Sequence, residues 1–212
     1  MGLENSEDVT DMPEKDTEVL TQHEKDLRMI DRFRLMDDDF FSEALDGRIE
    51  AVQFILRVIL ENPTLRVIST RAQVEYRSAT ARSIKLDVQA VTEEGHVMDV
   101  EIQRADRGTG ARRARFHSSM LDRSLLAKGE DFEDLTDTYV IFITENDKFG
   151  KGLPLYHIDR KVSELEDALF CDGSHIIYVN GAFRNMDHPV GQLMHDFQCC
   201  RADDMVSNEL AG

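Results

Sequence analysis

Residues 83–105 carry the clearest alternation of apolar and polar side chains in the chain. A period of two residues is typical of a β-strand that buries one face. The alternation is interrupted at Glu93, Glu94, Gly95 and His96, where Gly95 readily adopts the positive φ of a tight turn. The pattern therefore predicts a β-hairpin. Its apolar positions are Ile84, Leu86, Val88 and Ala90 in the first arm and Met98, Val100 and Ile102 in the second.

The numbering of the apolar residues restricts how the two arms pair. Because they carry even numbers in both arms and must share a face, the numbers of cross-strand partners must add up to an even sum. A sum of 190 pairs Val88 with Ile102, whereas a sum of 188 sets Asp87 opposite Glu101. Both registers place Asp87, Glu101 and Gln103 on one polar face, with Cβ atoms about 4.5–8 Å apart.

Further helices and strands are predicted on both sides of the hairpin. Residues 65–77 predict a strand, so that three strands form a meander, and residues 138–144 are nearly all apolar, as in a strand buried on both faces. The predicted order is helix, three-stranded meander, helix, strand, which makes a mixed α/β sheet with helices on both faces. The remaining predictions are helices at 33–45, 49–61, 111–128, 163–169 and 190–200 and strands at 155–162 and 175–179.

Two carboxylates that converge on one face of a hairpin repel each other unless a positive charge lies between them. A hard divalent cation such as Mg²⁺ meets this need, since it binds one or two carboxylates together with water molecules. A solvated acidic face is the alternative, and a chain with 42 acidic and 25 basic residues makes such faces common. The spacing of Asp87 and Glu101 leaves both interpretations open.

The same residues resemble a known family. An Asp at the end of one strand, then Glu-x-Gln on the next strand, then a basic helix, resembles the PD-(D/E)XK nuclease superfamily. The closer resemblance is to its transposase-associated, recombination-promoting nucleases, and it extends over residues 31–205. It implies a restriction-endonuclease-like α/β core of αβββαβ order. The blocks that carry it are LMDDDFFSEALDG, EIQRADRGTGARRARFHSSMLD, TYVIFITENDKFGKGLPLYHI and SHIIYVNGAF.

The resemblance also implies residue roles and a cofactor. Asp87 and Glu101 would bind Mg²⁺ or Mn²⁺ together with the main-chain carbonyl of Ile102. Gln103 stands where the family usually has Lys, and would orient the attacking water by hydrogen bonding. An acid from an early helix can join such a site, and Glu50 is favoured over Asp38 and Glu43. The implied activity is Mg²⁺-dependent cleavage of DNA phosphodiester bonds.

Charge bears on this implied activity in two opposite ways. The formal net charge is −17, which is unusual for a protein that contacts phosphates. Positive charge is nevertheless concentrated after the acidic pair, where residues 101–123 hold six Arg against three acidic residues. Arg112, Arg113 and Arg115 on the predicted helix are candidates for phosphate binding, and Arg113 or Arg115 for replacing the missing Lys charge. The competing hypothesis is a catalytically weak or inactive nuclease fold that serves as an interaction module.

The chain as a whole predicts one nuclease-like domain over residues 31–205. Residues 1–30 are acidic and predict a flexible tail, and residues 206–212 predict a loose C-terminus. No apolar run is long enough for a membrane span, no Walker loop predicts a nucleotide cofactor, and the three cysteines fit a reduced cytoplasmic protein better than a disulfide framework. A homodimer would suit double-strand cleavage, although no sequence feature requires one.

Overall fold

Ten strands and five α-helices make up the computed structural model, which describes residues 21, 32–77, 82–104 and 109–211. All but Thr21 of the predicted tail therefore lies outside the described residues. In chain order the helices are α1 (Asp38–Leu45), α2 (Ile49–Ile59), α3 (Ala111–Leu125), α4 (Pro189–Asp196) and α5 (Asn208–Ala211). The strands are β1 (Val67–Ala72), β2 (Glu75–Tyr76), β3 (Ile84–Lys85), β4 (Val88–Thr92), β5 (Val97–Gln103), β6 (Thr138–Thr144), β7 (Leu155–Ile158), β8 (Lys161–Val162), β9 (Ala168–Leu169) and β10 (Ser174–Asn180).

Six of the strands form one mixed sheet in the order β1-β4-β5-β6-β10-β7. Strands β1, β4 and β5 are an antiparallel meander, β5, β6 and β10 run parallel, and β7 closes the far edge antiparallel to β10. The order of helices and sheet strands confirms the predicted mixed α/β fold with helices on both faces. In the described part of the chain no helix combines the length and the apolar character that crossing a bilayer requires.

The β4–β5 hairpin adopts one of the two predicted registers. Val88 pairs with Val100, so the numbers of paired residues add up to 188. This register sets Asp87 opposite Glu101. The main-chain N–H of Thr92 donates to the His96 carbonyl over 3.0 Å, and Gly95 has φ +85° in the turn. The positive φ explains why glycine occupies that position.

The first arm of the hairpin is not one continuous strand, as its alternation had predicted. The chain bends at Asp87, between β3 and β4. Ile84 and Leu86 pack beneath α3, whereas Val88 and Ala90 pack on the opposite face of the sheet. The bend therefore reverses the facing of the even-numbered residues and leaves Asp87 just before the first residue of β4.

The two faces of the sheet bury different kinds of side chain. The apolar face is the one covered by α1, α2 and α4, and its strand residues include Val88, Val100, Ile102, Ile141 and Val179. The α3 face is the opposite one, where Val140, Phe142 and Tyr178 pack against α3. Strand β6 contributes to both, which confirms that residues 138–144 are buried on both faces.

Several predicted elements differ from those observed. The strand predicted at 155–162 is divided into β7, which pairs with β10, and β8, which pairs with β9. The others differ because of a local conformation or a distant contact. Residues 163–169 are not a helix: β8 and β9 pair as a hairpin, closed by Glu166 and Asp167 at φ +53° and +59°. Residues 65–77 are split between β1 and β2 by Gln73 at φ +53°. Helix α1 starts at Asp38 and not at 33, since Met36 is held outside it by a 3.0 Å bond from its N–H to the Phe197 carbonyl.

The C-terminal end is more ordered than the predicted loose segment. Helix α4 ends at Asp196, four residues earlier than predicted. The chain then returns so that the N–H groups of Val206 and Ser207 donate to the Asp196 carboxylate over 2.8 and 2.9 Å. Leu210 in α5 is only 6% exposed and belongs to the apolar core. These contacts fix residues that composition alone describes as a tail.

Candidate active site

The bend before β4 brings Asp87 and Glu101 into direct contact. The Glu101 Oε1 atom accepts a hydrogen bond from the Asp87 main-chain N–H over 3.1 Å. In return, the Asp87 Oδ2 atom accepts one from the Ile102 main-chain N–H over 2.9 Å. Each carboxylate is thus held by the backbone of the opposite strand, at the place where regular β4–β5 pairing stops. The two acids are positioned by the sheet itself.

Helix α3 supplies the positive charge nearest to this pair. The side chain of Glu101 is fully buried, and its Oε2 atom lies 2.7 Å from Nη2 of Arg113. The Arg113 side chain is 40% exposed, and its guanidinium also lies over the Phe142 ring, 6.0 Å from the centroid. Arg113 therefore connects the buried carboxylate with the solvent-facing surface of α3.

A second buried pair holds Arg113 in place. The Nε–H of Arg113 donates to Nε2 of His117 over 3.3 Å, and His117 Nδ1 lies 2.8 Å from Asp99 Oδ2. Arginine is only a donor, so Nε2 of His117 is the unprotonated nitrogen and Nδ1 carries the hydrogen toward Asp99. A chain of contacts consequently runs from Asp99 through His117 and Arg113 to Glu101.

Burial and mutual repulsion shift the ionisation of the three acids. Burial, followed by the charges of Glu101 and Asp38, raises the pKa of Asp87. Burial, followed by the charge of Asp99, raises the pKa of Glu101, and burial likewise raises the pKa of Asp99. Burial lowers the pKa of His117, which favours its neutral form. Without a cation the three acids therefore tend to hold protons, and a bound divalent cation would favour their ionised forms.

The donor atoms of the site fit a hard divalent metal ion. Asp87 and Glu101 offer carboxylate oxygens, and a strand residue directs its N–H and C=O to the same side, so the Ile102 carbonyl faces Asp87 as its N–H does. Buried Asp99 Oδ1 has no hydrogen-bond partner among the described residues. Ligand atoms of Asp99, Glu101 and His117 also lie within 4.8 Å of one another. Oxygen-rich donor sets of this kind suit Mg²⁺ and Mn²⁺.

The remaining predicted residues lie at different distances from the acidic pair. Gln103 is the last residue of β5, half-buried and one alternation beyond Glu101. Arg112 and Arg115 are exposed on α3 and form no ion pair with any residue that the structure describes. Arg104 turns away and pairs with Asp37 and Glu145, over 2.9 and 3.4 Å. Of the predicted arginines, the structure brings Arg113 to the carboxylates.

The early helices bring a different acid to the site than the one favoured from sequence. Glu50 is exposed in the first turn of α2 and borders a groove with Asn208 and Glu209. Asp38, the first residue of α1, is instead one of the charges that raise the pKa of Asp87. Asp38 is exposed in the first turn of α1, so it acts on Asp87 through its charge.

The sequence patterns described above single out neither Asp99 nor His117. Both are buried, with 0% and 3% exposure. Two spacings could have identified them. Asp99 precedes Glu101 by two residues on one strand, so the two share a face. His117 follows Arg113 by four residues on α3, so they lie one above the other on the helix.

Comparison with known proteins gives one match. The family model described as PD-(D/E)XK nuclease family transposase matches residues 53–183, which is well over half of the chain. No curated protein and no solved structure matches.

Proposed function

The chain belongs to the PD-(D/E)XK nuclease transposase family, and on this premise we propose that it is a metal-dependent DNA endonuclease. The observation that carries the proposal is the reciprocal contact between Asp87 and Glu101, in which each carboxylate accepts a main-chain N–H from the other's strand. It places the buried Glu101 and the half-buried Asp87 beside a half-exposed arginine, within the region that the family model matches.

The proposed ligands of Mg²⁺ or Mn²⁺ are the carboxylates of Asp87 and Glu101 and the main-chain carbonyl of Ile102. A bound divalent ion supplies a water of lowered pKa and positive charge at the attacked phosphorus. The main-chain N–H groups of Asp87 and Ile102 fix the orientation of the two side chains. The rigid backbone contacts therefore preorganise the ligand oxygens before substrate binds.

Gln103 and Arg113 share the work that a lysine usually performs in this motif. Gln103 orients the attacking water through its amide but brings no charge. Arg113 supplies the charge from α3, because its guanidinium already contacts Glu101 and remains partly exposed to a substrate phosphate. His117 and Asp99 are positioning residues, since they act through Arg113.

Arg112 and Arg115 are proposed to bind the DNA backbone. Both are exposed on α3, and an arginine fork matches the geometry of a phosphate. They neighbour Arg113 on the helix, so a strand that follows α3 would bring its phosphate to Arg113 and the acidic pair. This placement explains how a chain of net charge −17 still presents a basic surface to DNA.

Plasmid cleavage tests the proposal directly. Purified protein is incubated with supercoiled DNA in Mg²⁺, Mn²⁺ or EDTA, with Asp87→Asn and the matched exposed variant Asp159→Asn in parallel. We expect metal-dependent nicking or linearisation that Asp87→Asn abolishes and Asp159→Asn retains. Cleavage that persists in EDTA or in folded Asp87→Asn protein contradicts the assignment.

Asp38 is proposed as the additional acid in place of Glu50. Its charge acts on Asp87, whereas Glu50 borders the groove beside Asn208 and Glu209. Asp38→Asn should raise the Mg²⁺ concentration needed for half-maximal cleavage, and Glu50→Gln should leave it unchanged. A larger effect of Glu50→Gln would restore the assignment made from sequence.

An inactive interaction module is the second candidate function, and Gln103 at the usual lysine position favours it. Calorimetric titration with Mn²⁺ separates the two functions when combined with the plasmid assay. Saturable binding that Asp87→Asn removes, without cleavage of any DNA form, supports the inactive module and contradicts the nuclease.

A further inference from the structure

A second cluster of metal-ligating side chains lies at the C-terminal end of α4. It consists of His195, Asp196 and Cys199, and one ligand atom of each lies within 4.8 Å of the other two. His195 Nδ1 is 3.1 Å from Asp196 Oδ1 and 3.8 Å from Cys199 Sγ. Because α4 covers the apolar face, this cluster lies across the sheet from Asp87 and Glu101, which are on the α3 side.

The separations between these atoms are those that a tetrahedral zinc ion imposes on its ligands. Zinc bonds of about 2.0–2.3 Å to nitrogen, oxygen and sulfur, set at tetrahedral angles, separate the ligand atoms by roughly 3.4–3.6 Å. The two observed distances lie within about 0.3 Å of that range. Small side-chain rotations would therefore suffice to place all three ligands around one ion.

The surroundings of Asp196 are those of an oriented metal ligand. Its carboxylate is fully buried, and the N–H groups of Val206 and Ser207 donate to its two oxygens over 2.8 and 2.9 Å. Hydrogen bonds from the next layer of groups commonly fix the ligating carboxylates of metal sites. Among the described residues, His195 is the only basic side chain within ion-pair distance of Asp196, so an ion there would also compensate a buried carboxylate.

The remaining side of the cluster is open. The His195 side chain is 40% exposed, and Cys199 is half-buried, with its sulfur 3.4 Å from the Asp204 carbonyl. Three protein ligands with solvent on the fourth side leave a position for a water molecule. A thiol, an imidazole and one carboxylate favour a zinc-class ion over Mg²⁺, which prefers oxygen ligands alone.

We propose that His195, Asp196 and Cys199 bind a zinc-class divalent cation at the C-terminal end of α4. Asp196 already connects α4 with the segment before α5, and Leu210 of α5 packs into the apolar core. An ion bound to Asp196 would lie next to this segment, whose Val206 and Ser207 N–H groups donate to the same carboxylate. The site is separate from the proposed nuclease site and does not depend on the function proposed there.

Cobalt titration of the reduced, metal-free full chain tests the site. Co²⁺ held by a thiolate in a tetrahedral site gives an intense near-ultraviolet charge-transfer band and visible d–d bands, and added Zn²⁺ should bleach both. The carboxylates of the α3 face contain no sulfur and cannot produce the charge-transfer band. Loss of one ligand should weaken binding by about tenfold or more.

Matched variants identify the ligands. Cys199→Ser should abolish the charge-transfer band, and His195→Gln should weaken binding while the fold is kept, since His195 is partly exposed. Cys171→Ser and His157→Gln, which change an exposed cysteine and an exposed histidine elsewhere, should bind as the unchanged protein does. Absence of the band, or its retention in Cys199→Ser, overturns the proposal and leaves a hydrogen-bonded cap around Asp196.

Discussion

The two faces of strand β5 show how one strand supports both folding and chemistry. Met98, Val100 and Ile102 point into the apolar face, whereas Asp99 and Glu101 point beneath α3, and all five are 0–1% exposed. Equal burial therefore has opposite consequences on the two sides. The apolar residues gain about 25 cal/mol for each Å² removed from water, while the carboxylates lose hydration that only partners can replace.

The difference shows what α3 contributes that α1, α2 and α4 do not. The helices of the apolar face present hydrocarbon to hydrocarbon, and their contacts are interchangeable within limits of volume. Helix α3 must instead place Arg113 against Glu101 and His117 against Asp99. On the α3 side of the sheet, individual hydrogen bonds and ion pairs determine which residues are tolerated. We therefore expect substitutions there to lower cleavage activity more than they lower the free energy of unfolding.

Glu101→Gln should produce the largest effect on the α3 side. Removing a ligand of the proposed metal ion forfeits several kcal/mol of transition-state stabilisation, so cleavage should fall about a thousandfold or more. The same change should leave stability at pH 8 unchanged or higher, because a neutral amide replaces a buried charge. Plasmid cleavage measures the activity, and urea unfolding of the same preparation measures the stability. A loss of activity that is explained by unfolding would contradict the proposed difference between the two faces.

Met98→Ala should have the opposite profile on the apolar face. Deleting a fully buried methionine leaves a cavity and should lower the free energy of unfolding by about 2–5 kcal/mol. Cleavage by the fraction that remains folded should be preserved, since Met98 does not face the carboxylates. Urea unfolding at 25 °C gives the stability, and a large loss of activity in fully folded protein would show that the two faces are coupled.

Arg113→Gln should lower cleavage by about a hundredfold or more, because the group that replaces the lysine charge is lost. The matched variant Arg115→Gln should weaken DNA binding, with a smaller salt dependence, and affect the cleavage step little. Single-turnover cleavage at saturating DNA separates the two. A loss in Arg113→Gln that disappears at saturating DNA would assign Arg113 to binding alone.

His117→Gln is the control for the positioning of Arg113. It should lower cleavage by about 10–100-fold, the range typical of groups that orient a ligand. The double variant His117→Gln with Arg113→Gln should be little worse than Arg113→Gln alone, since His117 acts through Arg113. If the loss in the double variant equals the product of the two single losses, His117 has a role that is independent of Arg113.

The last prediction concerns pH and the metal-free protein. Burial and the charges of Glu101 and Asp38 raise the pKa of Asp87 from 3.8 to about 8. The folded state therefore keeps a proton that the unfolded chain releases near pH 4, and raising the pH from about 4 to about 8 lowers stability, by at most about 1.4 kcal/mol per unit for each retained proton.

Thermal unfolding in EDTA between pH 5 and pH 8 measures this dependence. The midpoint should fall more steeply with pH in the unchanged protein than in Asp87→Asn, and added Mg²⁺ should flatten the slope of the unchanged protein alone. The same slope in both proteins would show that the acid pair does not retain a proton.

Local pattern was sufficient for the elements whose partners lie close in the chain. Strands β5 and β6, the turn at Gly95 and helix α2 follow from periods of two and 3.6 residues and from one positive φ. The requirement that the numbers of paired residues add up to an even sum left two registers under consideration, and one of them is observed. The prediction that Asp87 and Glu101 lie close together rested on the same requirement.

The elements that differ are those in which distant residues outweigh local preference. The helical pattern of residues 163–169 gives way to a hairpin that needs two left-handed residues. Met36 bonds to Phe197 and so delays α1, and Leu210 enters a core that its own segment does not reveal. Each of these conformations depends on contacts with residues that are distant in the chain. The periodicity of the local sequence carries no information about such contacts.

The sequence by itself determined which residues alternate, where the chain turns, and that Asp87, Glu101 and Gln103 belong to one polar set, because these are properties of consecutive residues. Only the tertiary structure decided that the chain bends at Asp87, that Arg113 and not Arg104 reaches Glu101, and that His117 and Asp99 lie beneath α3. The physical reason is that a strand's period assigns side chains to a face, whereas the helix packed over that face determines which charges are buried together.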